Sequence, residues 1–349
     1  MILFTMQRRI GFSLGVVALC LVVVNLAAAI IEWLPYGASR KDDMPAGLYQ
    51  HKAIRERPQL RPGARLRGLF YDITVNSLGF RGPELIHPRP ANALRIWCAG
   101  GSTTFDIYAP DDESTWPGQL QAMLREQLPD RTVEVINAGI PGEILTGNTE
   151  DLVRHFNQVR PNILVIYQGP NVLRKAVTSG MSFYRAPGQD LLEGLAMYRL
   201  GVRLLSPLRT LPKEYQRRFL TPFHRSIIRD AFNQTLMAVE RLPLKVLVAT
   251  HAMQSDPRST AEEIRARFHS DSLLLHMTPQ EVVKALDAIN GIIQQIARRN
   301  GLGVADVREA VPADPRHWGD ATHFSAQGSH LAAKEIARAI LKIVSGDSL

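Results

Sequence analysis

Five short apolar runs separated by helix-length segments constrain this chain more than any other feature. They cover residues 94–98, 133–136, 163–167, 244–250 and 304–307. Each has the length of a strand, and the third and fourth are almost continuously apolar, as expected of strands buried on both faces. Helix signals lie between and after them. Thr115-Trp116-Pro117 offers an N-cap and an early proline for a helix to about residue 128. Asn148 is read as the cap of a second helix, to about residue 159. Thr278-Pro279-Gln280-Glu281 is a capping box opening a long amphipathic helix to about residue 299, and Ser325 starts a terminal helix to about residue 344. Strand and helix in alternation predict an α/β domain on a five-stranded parallel sheet. An apolar share of 45% over 349 residues is enough for a sizeable core.

Loop motifs follow the first three runs. They are Gly100-Gly101-Ser102-Thr103-Thr104, Asn137-Ala138-Gly139-Ile140-Pro141-Gly142 and Gly169-Pro170-Asn171; a fourth, Asp320-Ala321-Thr322-His323, precedes the terminal helix. Taken singly, each has an ordinary explanation: Ser102 a helix N-cap, Asn171 a turn residue, Asp320 a cap of the last helix. His317, Asp320 and His323 also have the chemistry of metal ligands, but no Cys or Glu cluster supports them. It is the four together, at strand ends and in this order, that point to an acyl-transfer site.

In that order the motifs resemble the SGNH (GDSL-type) hydrolase superfamily over residues 93–344. Gly-Gly-Ser-Thr-Thr with an upstream Asn76-Ser77-Leu78-Gly79-Phe80-Arg81-Gly82 is similar to its membrane-anchored bacterial branch. The resemblance implies a three-layer α/β/α, flavodoxin-like fold, a Ser102–His323–Asp320 triad, and an oxyanion hole from the Ser102 and Gly142 backbone amides and the Asn171 side chain. Gly101 stands where the GDSL form carries an acid. Val172 stands where an acid usually follows the oxyanion Asn, which removes the usual brace of that loop but not its donor.

Elementary chemistry agrees with these roles. A serine hydroxyl attacks only when a base takes its proton, and the base needs a third group to fix its tautomer. An Asp–His spacing of three lets both side chains come from one tight loop. A developing oxyanion needs preorganised donors, and Gly142 suits a loop that must adopt positive φ to aim its N–H. The chemistry calls for no cofactor and no metal.

The N-terminus carries a second signal. Residues 10–31 are free of charge, and 22 residues make a helix of about 33 Å, the thickness of a bilayer core. Arg8 and Arg9 precede this run, so positive-inside logic keeps the N-terminus in the cytoplasm and places the remainder outside. Ala27-Ala28-Ala29 resembles a signal-peptide cleavage site, but the apolar run is long for that role, and an uncleaved anchor is the expectation. Leu19 before Cys20 disfavours a lipoprotein site, and Cys98, the other cysteine, sits at a strand end, so no disulfide framework is expected.

The expected organisation is an anchor over residues 1–34, a stalk and pre-domain segment over 35–92, and the hydrolase domain over 93–349. Within 35–92, Lys52, Arg55, Arg57, Arg61, Arg65 and Arg67 form a basic stretch, readable as a solvated linker or as a segment packed on the domain; residues 69–75 suit a short strand. An insertion from about 172 to 225, rich in Arg and aromatic residues, has the look of a lid or acceptor groove. A net charge of +8 points to an anionic partner. Placement outside the cytoplasm and the lack of a nucleic-acid motif argue against nucleic acid and for phospholipid head groups or an acidic polysaccharide. The expected activity is an extracytoplasmic, inner-membrane-anchored serine esterase acting on an acylated glycan, lipid or small molecule. The alternatives are an O-acyltransferase using the same triad, and a non-catalytic scaffold that keeps the fold.

Overall fold

The computed structural model describes residues 13, 15–27, 47–50, 57–68, 71–178, 220–267 and 278–346. The chain divides into two compact units, one of Met1–Pro45 with Met181–Lys213, the other of Ala46–Gly180 with Glu214–Leu349. Of the first, residues 15–27 are helical. With residue 13, also helical, they fall inside the expected span of 10–31, the rest of which lies outside the described residues. Among the described residues no helix is long and apolar enough to cross a membrane.

The second unit begins with a small antiparallel pair, β1 (Arg65–Arg67) and β2 (Asp72–Thr74). The main body then runs β3 (Ala93–Gly100), α1 (Ser102–Phe105), α2 (Trp116–Gln127), β4 (Thr132–Gly139), α3 (Leu145–Val159), β5 (Ile163–Tyr167) and α4 (Pro170–Thr178). It continues with α5 (Pro222–Val239), β6 (Lys245–Ala249), α6 (Ala261–Arg267), α7 (Pro279–Asn300), β7 (Gly303–Ala305), α8 (Val307–Ala310) and α9 (Ala326–Ser345). The five strands of the main sheet are all parallel, in the order β4-β3-β5-β6-β7. Helix α2 packs with α9, and α5 packs with α3, α4 and α7, so both faces are covered and every residue of β3 is buried. This is the predicted α/β fold. Two of the charged residues that interrupt the apolar runs face each other across it: Arg95 and Glu134 are register partners on β3 and β4, paired at 2.8 Å.

Three of the expected caps hold. Thr115, Thr278 and Ser325 each accept a hydrogen bond from an amide in the first turn, and Thr278 and Glu281 complete a capping box. Asn148 is not a cap. Helix α3 starts three residues earlier, and the Asn148 amide turns inward, donating to Gly100 O at 3.0 Å and accepting from Gln168 at 3.0 Å. Those partners lie on β3 and just after β5, beyond any local signal. Residues 172–178, expected to open the insertion, belong to α4, with Val172, Leu173 and Ala176 in the core. The rest of the expected insertion lies outside the described residues up to Leu220, where the chain leads into α5.

The segment ahead of the sheet belongs to the same unit. Within its motif, Asn76 Oδ1 accepts from the Leu78 and Phe80 amides, and Gly79 takes φ +84, a conformation only glycine adopts without strain. This turn delivers Phe80 edge-on to Trp97 and buries Arg81. The Arg81 guanidinium donates to Asp112 at 2.8 Å and to the carbonyls of Phe105, Asp106, Ala109 and Asp111. One side chain therefore fixes the whole connection from α1 to α2. Removing a buried charge partner of this kind costs about 3–5 kcal/mol. Arg81→Met is expected to lower the urea unfolding free energy by that amount; a loss below about 1 kcal/mol would show the connection to be held by other means.

Candidate active site

Three loops leave the carboxyl edge of the sheet at one level, because Gly100 is in register with Gly139 on β4 and with Tyr167 on β5. The crossing is too tight for side chains. A Cβ on Gly100 would lie 1.9 Å from Thr104 Oγ1, and one on Gly139 would lie 2.1 Å from the Phe105 amide nitrogen.

Ser102 opens α1 directly after β3. It does not cap that helix; its Oγ instead lies 2.8 Å from His323 Nε2. His323 Nδ1 in turn lies 2.8 Å from Asp320 Oδ2. Asp320 is held by its own turn, since Oδ1 accepts from the Thr322 and His323 amides at 2.8 and 3.0 Å. His323 is 7% exposed, and the Tyr108 ring stands edge-on to it at 6.0 Å. Tyr108 approaches so closely that a Cβ on Gly319 would lie 2.5 Å from its ring. The three residues singled out in sequence, 218 or more positions apart at the Ser–Asp gap, form one continuous hydrogen-bonded relay.

Of the expected oxyanion donors, the Asn171 side chain lies against Gly101, next to Ser102. Gly142 has φ +82, as its expected role requires. Asn171 Nδ2 donates to Glu143 O at 2.9 Å and lies against the backbone of Gly101, where an added Cβ would stand 2.2 Å from it. This contact accounts for Gly101, where the GDSL form has an acid: any side chain there would displace the Asn171 amide. It also answers the departure at Val172. Val172 is a core residue of α4, and the brace comes from the Glu143 carbonyl, which accepts from Gln168 Nε2 at 3.0 Å as well. Arg174, one turn further along α4, donates to Gly142 O at 3.1 Å.

Three polar residues near the relay carried no signal in the sequence. Glu143 is buried, although it follows a Pro-Gly turn that reads as an exposed loop. Asp106 adopts φ +65 at the end of α1 and is 1% exposed. Its Oδ2 accepts from the Trp116 amide at 2.8 Å and from Ser329 Oγ at 2.5 Å. Burial pushes its carboxyl up from 3.8 to about 6, against the pull of those two donors, Arg81 and His323. His251, just beyond β6, is fully buried; burial, with His323 and Arg308 nearby, lowers its imidazole from 6.5 to about 3 and keeps it neutral. Its ring packs on Tyr167 at 5.1 Å and fills the space beside Gly169. Among the described residues no group of three or more His, Cys, Asp or Glu is placed to hold a metal ion.

The model of the GDSL-like lipase/acylhydrolase family matches residues 98–331, about two thirds of the sequence. The chain belongs to that family. It is a serine hydrolase acting on ester bonds. A lipolytic GDSL-family protein from Veillonella parvula DSM 2008 is 12% identical, with 71% of this chain and 99% of that one covered and a TM-score of 0.43. An acetylxylan esterase from Geobacillus stearothermophilus is 12% identical, covering 71% and 94%, at a TM-score of 0.43. A GDSL-like lipase from Bacteroides thetaiotaomicron VPI-5482 is 10% identical, covering 71% and 88%, at 0.41. Comparison with curated proteins finds no match.

Two outcomes follow from this geometry. Gly101→Ala is expected to lower kcat about a hundredfold by moving the Asn171 donor, with a near-normal melting temperature; unchanged kcat would mean that the amide does not act there. For Asp106, the folded pKa lies above the unfolded one, so the neutral carboxyl stabilises the fold at low pH and that contribution is lost as the pH rises through about 6. A shift of that size corresponds to about 3 kcal/mol. Relative to wild type, Asp106→Asn is therefore expected to gain stability between about pH 4 and pH 8, read from urea midpoints; parallel curves would refute the shift.

Proposed function

We propose that Ser102 is the nucleophile of a carboxylic-ester hydrolase, with His323 as its base and Asp320 orienting the imidazole. The observation that carries this reading is the unbroken relay from Ser102 Oγ through His323 to Asp320, at 2.8 Å for each link. Ser102 Oγ attacks the ester carbonyl as His323 Nε2 takes its proton. The Ser102 and Gly142 amides and the Asn171 side chain receive the oxyanion. Collapse of the tetrahedral intermediate breaks the bond to the alcohol oxygen, which leaves with the proton from His323. Water, activated by the same imidazole, then attacks the acyl–Ser102 ester and releases the acid.

The substrate we propose is an acyl ester, such as an O-acetyl group, on a cell-envelope glycan or lipid. The protein is proposed to be anchored in the bacterial inner membrane through residues 10–31, with the catalytic domain facing outward. Support comes from the uncharged run behind Arg8 and Arg9, the net charge of +8, and the Asn76–Gly82 motif ahead of the sheet. An acyl-enzyme is open to a sugar hydroxyl as well as to water, so product analysis with a glycan acceptor separates hydrolysis from transfer.

The test is hydrolysis of p-nitrophenyl acetate and longer-chain esters. Ser102→Ala and His323→Ala are expected to fall to background. Asn171→Ala is expected to lose about 10²–10³ in kcat with KM little changed. Full turnover in folded Ser102→Ala would refute the assignment.

A further inference from the structure

We propose that Arg57, from the segment ahead of the sheet, is a positioning residue that holds the oxyanion loop in place by neutralising two buried carboxylates. The inference rests on the reading of Gly142 and Asn171 given above.

Glu143 occupies the centre of that loop. Its amide donates to Ile140 O at 2.9 Å, closing the turn that contains Gly142. Its carbonyl accepts from both Asn171 Nδ2 and Gln168 Nε2, so the position of this one oxygen decides where the Asn171 amide points. Its side chain folds back over the start of α3. Oε1 accepts from the Ile144 amide at 2.9 Å, and the carboxylate covers Gly147 so closely that a Cβ there would lie 2.3 Å away. Side chain and carbonyl belong to the same residue, and whatever anchors the first constrains the second.

The anchor is Arg57. Its Nε lies 3.3 Å from Glu143 Oε2, while its two other nitrogens hydrogen-bond Asp151 Oδ1 and Gly147 O. The Glu143 and Asp151 side chains are only 4% and 6% exposed. Two carboxylates sharing a buried site repel, and one is driven to hold its proton unless a cation lies between them. Burial already raises the Glu143 pKa, Asp151 and Glu150 raise it further, and Arg57 opposes them. The other charged or titratable groups around this cluster are placed differently. Glu150 is 64% exposed and 4.0 Å from Arg57, Arg154 is 55% exposed and 3.7 Å from Asp151, the His155 ring bonds the Asp151 carbonyl, and Arg174 reaches the Gly142 carbonyl. Without Arg57, Glu143 either takes up a proton or swings towards solvent, and its carbonyl moves with it. The segment ahead of the sheet thus completes the site at the Asn171 side, just as Arg81 fixes the connection that follows Ser102.

The experiment measures p-nitrophenyl acetate hydrolysis by the full-length chain against pH, with melting temperatures alongside. The variants are Arg57→Met, Arg57→Lys, and Arg57→Met combined with Glu143→Gln and Asp151→Asn. Arg57→Met is expected to lose about tenfold to a hundredfold in kcat with KM within about twofold, and the deficit should widen as the pH rises and Glu143 ionises. Lysine keeps the charge but not the fork, and should fall between. The neutral triple variant should recover most of kcat. Wild-type kcat in Arg57→Met overturns the proposal, and so does a deficit that ignores pH and persists in the triple variant. Should Arg57→Met not fold, Arg57→Lys and the triple variant decide by the same criteria. Ser102→Ala in parallel tests the underlying active-site reading separately: full activity there defeats that reading, whereas the Arg57 outcomes are scored against an active wild type.

Discussion

The parallel register of β3 with its two neighbours is the constraint on which the rest depends. Gly100 stands level with Gly139 and Tyr167, so the Ser102 turn, the Gly142 loop and the Asn171 helix leave the sheet side by side. Slipping either pairing by one residue would shift a loop by about 3.3 Å and turn its side chains to the other face. The absence of a Cβ at 100, 101 and 139 lets Thr104, Asn171 and Phe105 close over the sheet edge, and it is at this crowded edge that the Ser102 hydroxyl comes within hydrogen-bonding reach of the His323 imidazole.

Two buried guanidiniums, Arg81 and Arg95, and the partly buried Arg57 tie that edge to the segments around it. Arg95 joins β3 to Glu134, to the end of α3 and to Ile86 O. Arg81 spends its donors on one connection, and Arg57 lies between Glu143 and Asp151. Charges withdrawn from water are costly unless each finds partners, and the fork of arginine is suited to satisfying several acceptors in one place. Two of these three arginines lie ahead of the sheet. A chain cut at the start of β3 would keep the relay residues but lose the groups that hold the loops around them.

The elements most legible in the sequence were those whose causes are local. Near-continuous apolar runs marked the strands, and Thr115, Thr278 and Ser325 marked helix starts because a cap bonds to amides two or three residues away. Asn148 misled for the complementary reason. Its side chain has the chemistry of a cap, but stronger partners on β3 and after β5 take it up. Val172 read as a missing brace because the carbonyl that does the bracing, Glu143 O, belongs to a residue 28 positions from Asn171 and leaves no side-chain signature.

By itself the sequence determined the alternation of strand and helix, the family, and the identity of the Ser, Asp and His that the fold joins in one hydrogen-bonded relay. Apolar patterning and reactive side chains are properties of residue type and spacing, and both survive in one dimension. Only the tertiary structure decided which charges are buried and against what: Arg57 and Arg81 as interior partners rather than solvated surface, Asp106 with a raised pKa behind Ser102, His251 held neutral beneath the Asn171 loop. Desolvation and charge pairing depend on distances between atoms remote in sequence, and those distances exist only once the sheet has set its register.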